Sequence, residues 1–203
     1  MDIDHPRLKA QLDFLAEADR LKSVLRASRL IDNSRRENSG EHSWHVTLHA
    51  LILAEHAPAG VDINRVIRMM LIHDLVEIDT GDVPIHATTG NLHGSAEVAA
   101  EEAAAAERIF GLLPPDQAAE YRALWDEFEA AATADAIFAK AIDRVQPVMQ
   151  NLAGDGGTWI DYDVSRERLE TRVGSQVMRG AAPIWQHLRS RIDAWFAGRP
   201  KSD

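Results

Sequence analysis

Apolar residues fall at near-helical spacing along almost the whole chain. Leu8, Leu12, Leu15, Leu21 and Leu25 predict a helix over residues 5–26, ended by the turn formers of "DNSRRENSG". Asn38 followed by Glu41 resembles a capping box, so a second helix is predicted from there to about His56, before "APAG". Asp62 caps a third over 63–78. Residues 83–94 hold Pro, two Gly and no clear period, and read as a loop. The Ala- and Glu-rich run 95–110 is a helix by propensity, and others are predicted over about 115–131 and 134–152. The glycine turn "AGDGG" leads to a last long helix, broken near Gly180 and Pro183. No segment alternates as a half-buried strand does. The pattern predicts an all-α fold in a single domain.

One stretch departs from its surroundings. "LIHDLVEIDTGD", residues 71–82, continues the apolar run "VIRMMLI" and yet carries His73, Asp74 and Glu77. On an α-helix these three lie at roughly 0°, 100° and 40° around the axis, so they face one space, with Leu71, Leu75 and Ile78 on the packing side. Unpaired charge in a buried segment costs several kcal/mol or neutralises itself, so such groups are paired, hydrogen-bonded or metal-bound. Nitrogen and carboxylate donors converging in a dry shell are what a cation site requires.

Composition narrows the setting. The 203 residues suffice for one well-buried domain and are few for two. No apolar run approaches the roughly 20 residues of a membrane span, and the start "MDIDHPRLKA" has no signal-peptide pattern. Zero cysteines exclude disulfides, thiolate metal sites and cysteine nucleophiles, and fit a cytoplasmic protein. The formal charge of −10 argues against a nucleic-acid polymer as partner. Positive charge gathers in Arg20, Lys22, Arg26, Arg29, Arg35 and Arg36, which read either as a phosphate-binding region or as a solvated helix face and turn.

Two ligands are too few for a metal. His42 falls in the first turn of the second helix, where the dipole disfavours protonation and keeps the imidazole available. His45 is a reserve ligand or a partner to one, whereas His49 and His56 read as ordinary polar or partly buried histidines. Asp143, in "IFAKAIDRVQPV", is an acid in an apolar helix flanked by Lys140 and Arg144. By itself it reads as a salt bridge, although a late helix of a bundle is also where a last ligand enters.

The ordered set His42, His73-Asp74 and Asp143 resembles the H…HD…D signature of the HD-domain metal-dependent phosphohydrolases, over about residues 15–152. The blocks "LKSVLR", "ENSGEHS", "LIHDLVEIDTGD" and "KAID" are closest to the small cytosolic branch that includes the 5'-deoxynucleotidases. The resemblance implies an all-α core with C-terminal helices over 163–197 packing on it, and a homodimer or larger assembly. It also implies one divalent metal held by His42, His73, Asp74 and Asp143. The mixed donor set favours Mn, Co, Ni, Fe or Zn over Mg. Glu77 and Asp82 match the family's further acidic positions, as candidates to orient water and to protonate the leaving oxygen. Arg26 matches the phosphate-gripping arginine, and Lys140 is a second phosphate contact or a surface ion pair. Deoxynucleotidase-like members carry a bulky aromatic after that arginine, where this chain has Ala27. Of Trp44, Trp125, Trp159, Trp185 and Trp195, only Trp159 is a candidate substrate contact; the others read as core or interface anchors.

The expected activity is removal of phosphate from a nucleoside 5'-monophosphate or similar small phosphomonoester. The runner-up is a phosphodiesterase or alarmone hydrolase of the same superfamily. An HD-type oxygenase would need a second set of histidines, and a non-catalytic nucleotide- or metal-binding module would not need Glu77 and Asp82.

Overall fold

The computed structural model describes residues 5–87 and 96–199. Helix α1 (Pro6–Ala18) passes through a 3₁₀ turn, Asp19–Ser23, into a strand β1 (Leu25–Arg29) that pairs antiparallel with β2 (Arg36–Asn38). This corrects two expectations, a helix running to residue 26 and a chain without strands. The leucine spacing did not distinguish helix from strand over so short a run, because the hairpin is only a few residues long. None of the α1 residues is buried, and Leu8, Leu12 and Leu15 point to solvent.

Helix α2 (Ser39–Ile52) opens with the expected capping box. Asn38 Oδ1 accepts from the Glu41 amide at 2.9 Å, and Glu41 Oε2 accepts from the Asn38 amide at 3.2 Å. Helix α3 (Ile63–Ile72) is capped by Asp62 and buries Val66, Met69 and Met70, the i, i+3, i+4 face of a surface helix. It then tightens into a 3₁₀ turn, His73–Val76, before a short α4 (Glu77–Thr80). The predicted single helix 63–78 is therefore broken at its polar residues. Leu71, expected on the packing side, is 53% exposed.

Helices α5 (Ala96–Phe110), α6 (Pro115–Ala130) and α7 (Ala134–Ala153) follow the predicted pattern. The predicted loop 83–94 is irregular as far as Ala87, and the rest of it lies outside the described residues. Short α8 (Gly157–Asp161) and α9 (Arg166–Leu169) lead through a π-helical turn, Glu170–Gly174, into α10 (Ser175–Gly198).

Helix α7 is the axis of the molecule. Phe138, Ile142 and Val145 are fully buried, and α7 packs against α2, α3, α6 and α10. Gly180 permits the closest of these approaches, because a Cβ there would lie 2.8 Å from Ala141 Cβ and nearer still to the Ile137 carbonyl. The predicted break in the last helix falls at Ala181 (φ −144°, ψ 51°), just before Pro183. The kink turns Ile184, Trp185, Leu188 and Ile192 into the main core. Among the described residues, no helix is long and apolar enough to cross a membrane.

Candidate metal centre

Three elements bring the polar residues to one point. His42 comes from the first turns of α2, His73 and Asp74 from the 3₁₀ turn after α3, and Asp143 from the middle of α7. All four are buried, and donor atoms of His42, His73 and Asp143 lie within 4.8 Å of one another. Asp74 joins them, with Oδ1 3.0 Å from His73 Nε2.

Both imidazoles are held in the orientation a metal ligand needs. His73 Nδ1 donates to the Met70 carbonyl at 2.9 Å, a carbonyl released by the end of α3. Its carbonyl accepts from Trp125 Nε1, and its ring meets Phe128 edge-on at 5.0 Å. The inward nitrogen, Nε2, is buried and has no hydrogen-bond partner. His42 Nδ1 is tied to Gln146 Oε1 at 3.1 Å, while its Nε2 faces Asp143 Oδ1 at 2.9 Å. With each Nδ1 engaged outside, each Nε2 is turned to the common centre, the arrangement by which outer partners orient metal-ligating histidines. An orphaned buried nitrogen among carboxylates fits a cation.

Electrostatics agree. Burial opposes charge on His73, but Asp74 and Asp143 outweigh it and push the imidazole up to about 10 in the metal-free chain. Burial likewise opposes ionisation of Asp143, yet the hydrogen bond to His42 and the nearby His73 and Arg144 hold it well below the usual carboxylate range.

The neighbouring acids behave differently. Glu77 is raised to about 8, first by burial and then by the charge of Asp74, and its Oε2 is buried without a partner. Gly81 turns the chain with φ 73°, a conformation glycine adopts freely, and returns Asp82 towards β1. Asp82 Oδ2 accepts from the Ala27 amide at 3.3 Å. Arg26 Nη1 is shared by Asp74 (3.1 Å), Asp82 (3.3 Å) and Glu77 (3.6 Å), so this guanidinium ties the acids together. Of the basic stretch, Arg20, Lys22, Arg29 and Arg35 form surface ion pairs, and Arg26 alone of the six lines the site.

Lys140 reaches the same cavity, but its ammonium lies 2.9 Å from Glu129 and 4.2 Å over the Phe128 ring, the ion-pair alternative named above. Trp159 is fully buried and lines the cavity; Trp44 is 65% exposed. His45 supports the centre indirectly, its Nδ1 3.1 Å from Gln146 Nε2. Glu37, Gln146 and Gln150 escaped the sequence reading. Glu37, 2% exposed, accepts at Oε1 from both Gln146 and Gln150, and Gln146 links it to His42. Glu37 opens the quoted block "ENSGEHS", and its burial was the missing signal.

Fold and site together define an all-α protein built around a candidate divalent-metal centre that opens on a cavity of about 440 Å³. The HD-domain family model matches residues 18–185, and the chain belongs to that family. It is 30% identical to a 5'-deoxynucleotidase of Shewanella oneidensis, over 72% of this chain and 76% of that protein. It is 29% identical to the 5'-deoxynucleotidase HDDC2 of Bos taurus, over 90% and 84%. The crystal structure of a "predicted metal-dependent phosphohydrolase" from Magnetospirillum magnetotacticum MS-1 is 46% identical. It superposes with a TM-score of 0.87 over 95% of this chain and 97% of that one.

Proposed function

We propose that this chain is a divalent-metal-dependent phosphohydrolase that removes phosphate from a nucleoside 5'-monophosphate or similar small phosphomonoester. The observation that carries this reading is the convergence of His42 Nε2, His73 Nε2 and the Asp74 and Asp143 carboxylates beside Glu77, at one wall of a cavity large enough for a small ligand. Membership of the HD family and the relatives called 5'-deoxynucleotidases support it.

His42, His73, Asp74 and Asp143 would hold the ion, and their mixed nitrogen and oxygen donors suit Mn, Co, Ni, Fe or Zn better than Mg. Bound there, the ion supplies an acidified water and polarises the phosphoryl group. The protein supplies the rest. Glu77, whose carboxyl is raised first by burial, places an unpartnered Oε2 beside the centre and is the first acid–base candidate. Asp82, fastened by the Ala27 amide and Arg26, is the second acid–base candidate. Arg26 offers a planar fork of donors for phosphate oxygens while holding the acids in register. Lys140 contributes less to phosphate binding, because Glu129 already balances it.

Ala27 lines the cavity, so we carry over the 5'-monophosphate and leave open the choice between ribose and deoxyribose. The C-terminal helices reach the same cavity through Leu169 and Val173, which supports one domain over 1–203. A homodimer is proposed on the exposed stripe Trp44, Leu48, Leu51 and Ile52 along α2; light scattering returning only monomer would remove it. The nucleotide-type substrate favours the cytoplasm.

The test is phosphate release from a panel of nucleoside monophosphates by chelated protein re-supplied with Mn, Co, Ni, Mg or Zn, beside Asp74→Ala. Metal-dependent release abolished by the substitution supports the reading. No release with any metal contradicts it.

A further inference from the structure

The cavity has a second end, which the chemistry above does not use. Here His86 is 5% exposed, lines the cavity and leaves Nδ1 without a hydrogen-bond partner. Arg144, next in sequence after Asp143, and Arg179, at the rim, line the same wall. Behind His86 stand Arg168 and Arg172. Arg168 donates to the carbonyls of His86 (2.8 Å), Ala87 and Tyr162, and Arg172 to that of Ile85 (2.6 Å). Arg179 donates to the Ala131 carbonyl at 3.0 Å. These three guanidiniums meet only backbone oxygens, and none has a carboxylate partner among the described residues. Burial first, and then the charges of Arg168, Arg172 and Arg144, push the His86 imidazole down to about 4, so it stays neutral beside them.

In a chain of formal charge −10, Arg168, Arg172 and Arg179 thus bring positive charge without a carboxylate partner among the described residues to one end of the cavity, beside Arg144, whose Nε lies 3.7 Å from Asp143 Oδ2. Neutral ligands would leave that charge unbalanced, whereas an anion would balance it and accept charge-assisted hydrogen bonds. The other acids on the wall, Glu102 and Glu129, lie by Lys140, and Glu129 is bonded to it.

We propose that the end of the cavity formed by His86, Arg144 and Arg179, backed by Arg168 and Arg172, binds a second anionic group of the substrate. The preferred substrate is then a phosphomonoester that carries another phosphate or carboxylate, with nucleoside bisphosphates as the nearest chemical class. This deepens the phosphohydrolase reading and rests on it for which phosphate is removed. The arginine wall itself does not depend on it.

The experiment has two arms. In the first, inorganic phosphate is titrated calorimetrically into chelated protein, and the arginine variants show whether the basic end holds the probe. One saturable site per chain is expected, weakened about tenfold or more by Arg144→Gln and by Arg179→Gln. The rim position of Arg179 guards against misfolding, and circular dichroism checks both variants. In the second arm, metal-loaded wild type is given adenosine 5'-monophosphate and adenosine 3',5'-bisphosphate. The bisphosphate should show about tenfold higher kcat/KM, with the ratio falling towards one in the arginine variants. Phosphate binding to chelated protein without hydrolysis of any ester sinks the phosphohydrolase reading and keeps the anion end. Hydrolysis of both esters at equal kcat/KM, with no phosphate bound by chelated protein, overturns this inference alone.

Discussion

Nδ1 of His42 lies 3.1 Å from Oε1 of Gln146, and the amide nitrogen of that glutamine is engaged by Glu37 (2.9 Å) and His45 (3.1 Å). The amide cannot turn over without losing both contacts, so its oxygen faces His42. The imidazole therefore donates from Nδ1 and keeps its Nε2 lone pair for the centre. Gln146→Leu, close in size and without the oxygen, should weaken metal binding by about 10–100-fold while leaving the fold in place. Competition with a chelating dye reads the affinity, and unchanged affinity would remove Gln146 from the account.

Glu77 stands beside Asp74 with Oε1 3.6 Å from Arg26, and its buried Oε2 has no hydrogen-bond partner. Glu77→Gln should keep the metal and lower kcat by about 10²–10⁴-fold, the range for loss of a general acid or base. Metal analysis and steady-state kinetics on one preparation decide it. Full turnover in the variant would move that role to Asp82.

Much of this was legible in the sequence, and for physical reasons. The capping box at Asn38 and Glu41 placed the start of α2, and with it His42, because that signal is local. His73, Asp74 and Asp143 stood out as polar residues in apolar helices. What stayed hidden depends on contacts distant in the chain. The 3₁₀ turn at His73–Val76 follows from packing, with Trp125 donating to the His73 carbonyl. Nothing local in the sequence marks Glu37, whose partners Gln146 and Gln150 come from α7. The arginines Arg168, Arg172 and Arg179 lie beyond the resembling region, on α9, the π-helical turn and α10, and became visible only when α9 and that turn met residues 85–87.

His86 gives stability a pH dependence of definite sign. Its pKa is lowered from 6.5 to about 4 on folding, so between those values the unfolded chain binds the extra proton. Its contribution is present above pH 6.5 and is lost as pH falls towards 4. Arg144, Arg168 and Arg172 face the ring, so protonation would add a like charge among them. The melting temperature of wild type should fall more steeply than that of His86→Gln across this window. Parallel curves would contradict it.

The central claim is that one divalent ion at the His42–His73–Asp74–Asp143 cluster switches on phosphate release. The most direct measurement titrates Co²⁺ into chelated protein in one cuvette, reading its visible d–d absorption and phosphate release from a nucleoside 5'-monophosphate together. Both signals should rise in step and level off at one equivalent per chain, and His73→Ala should abolish both. Release that persists without metal, or a cobalt spectrum that saturates while no phosphate appears, would contradict the claim.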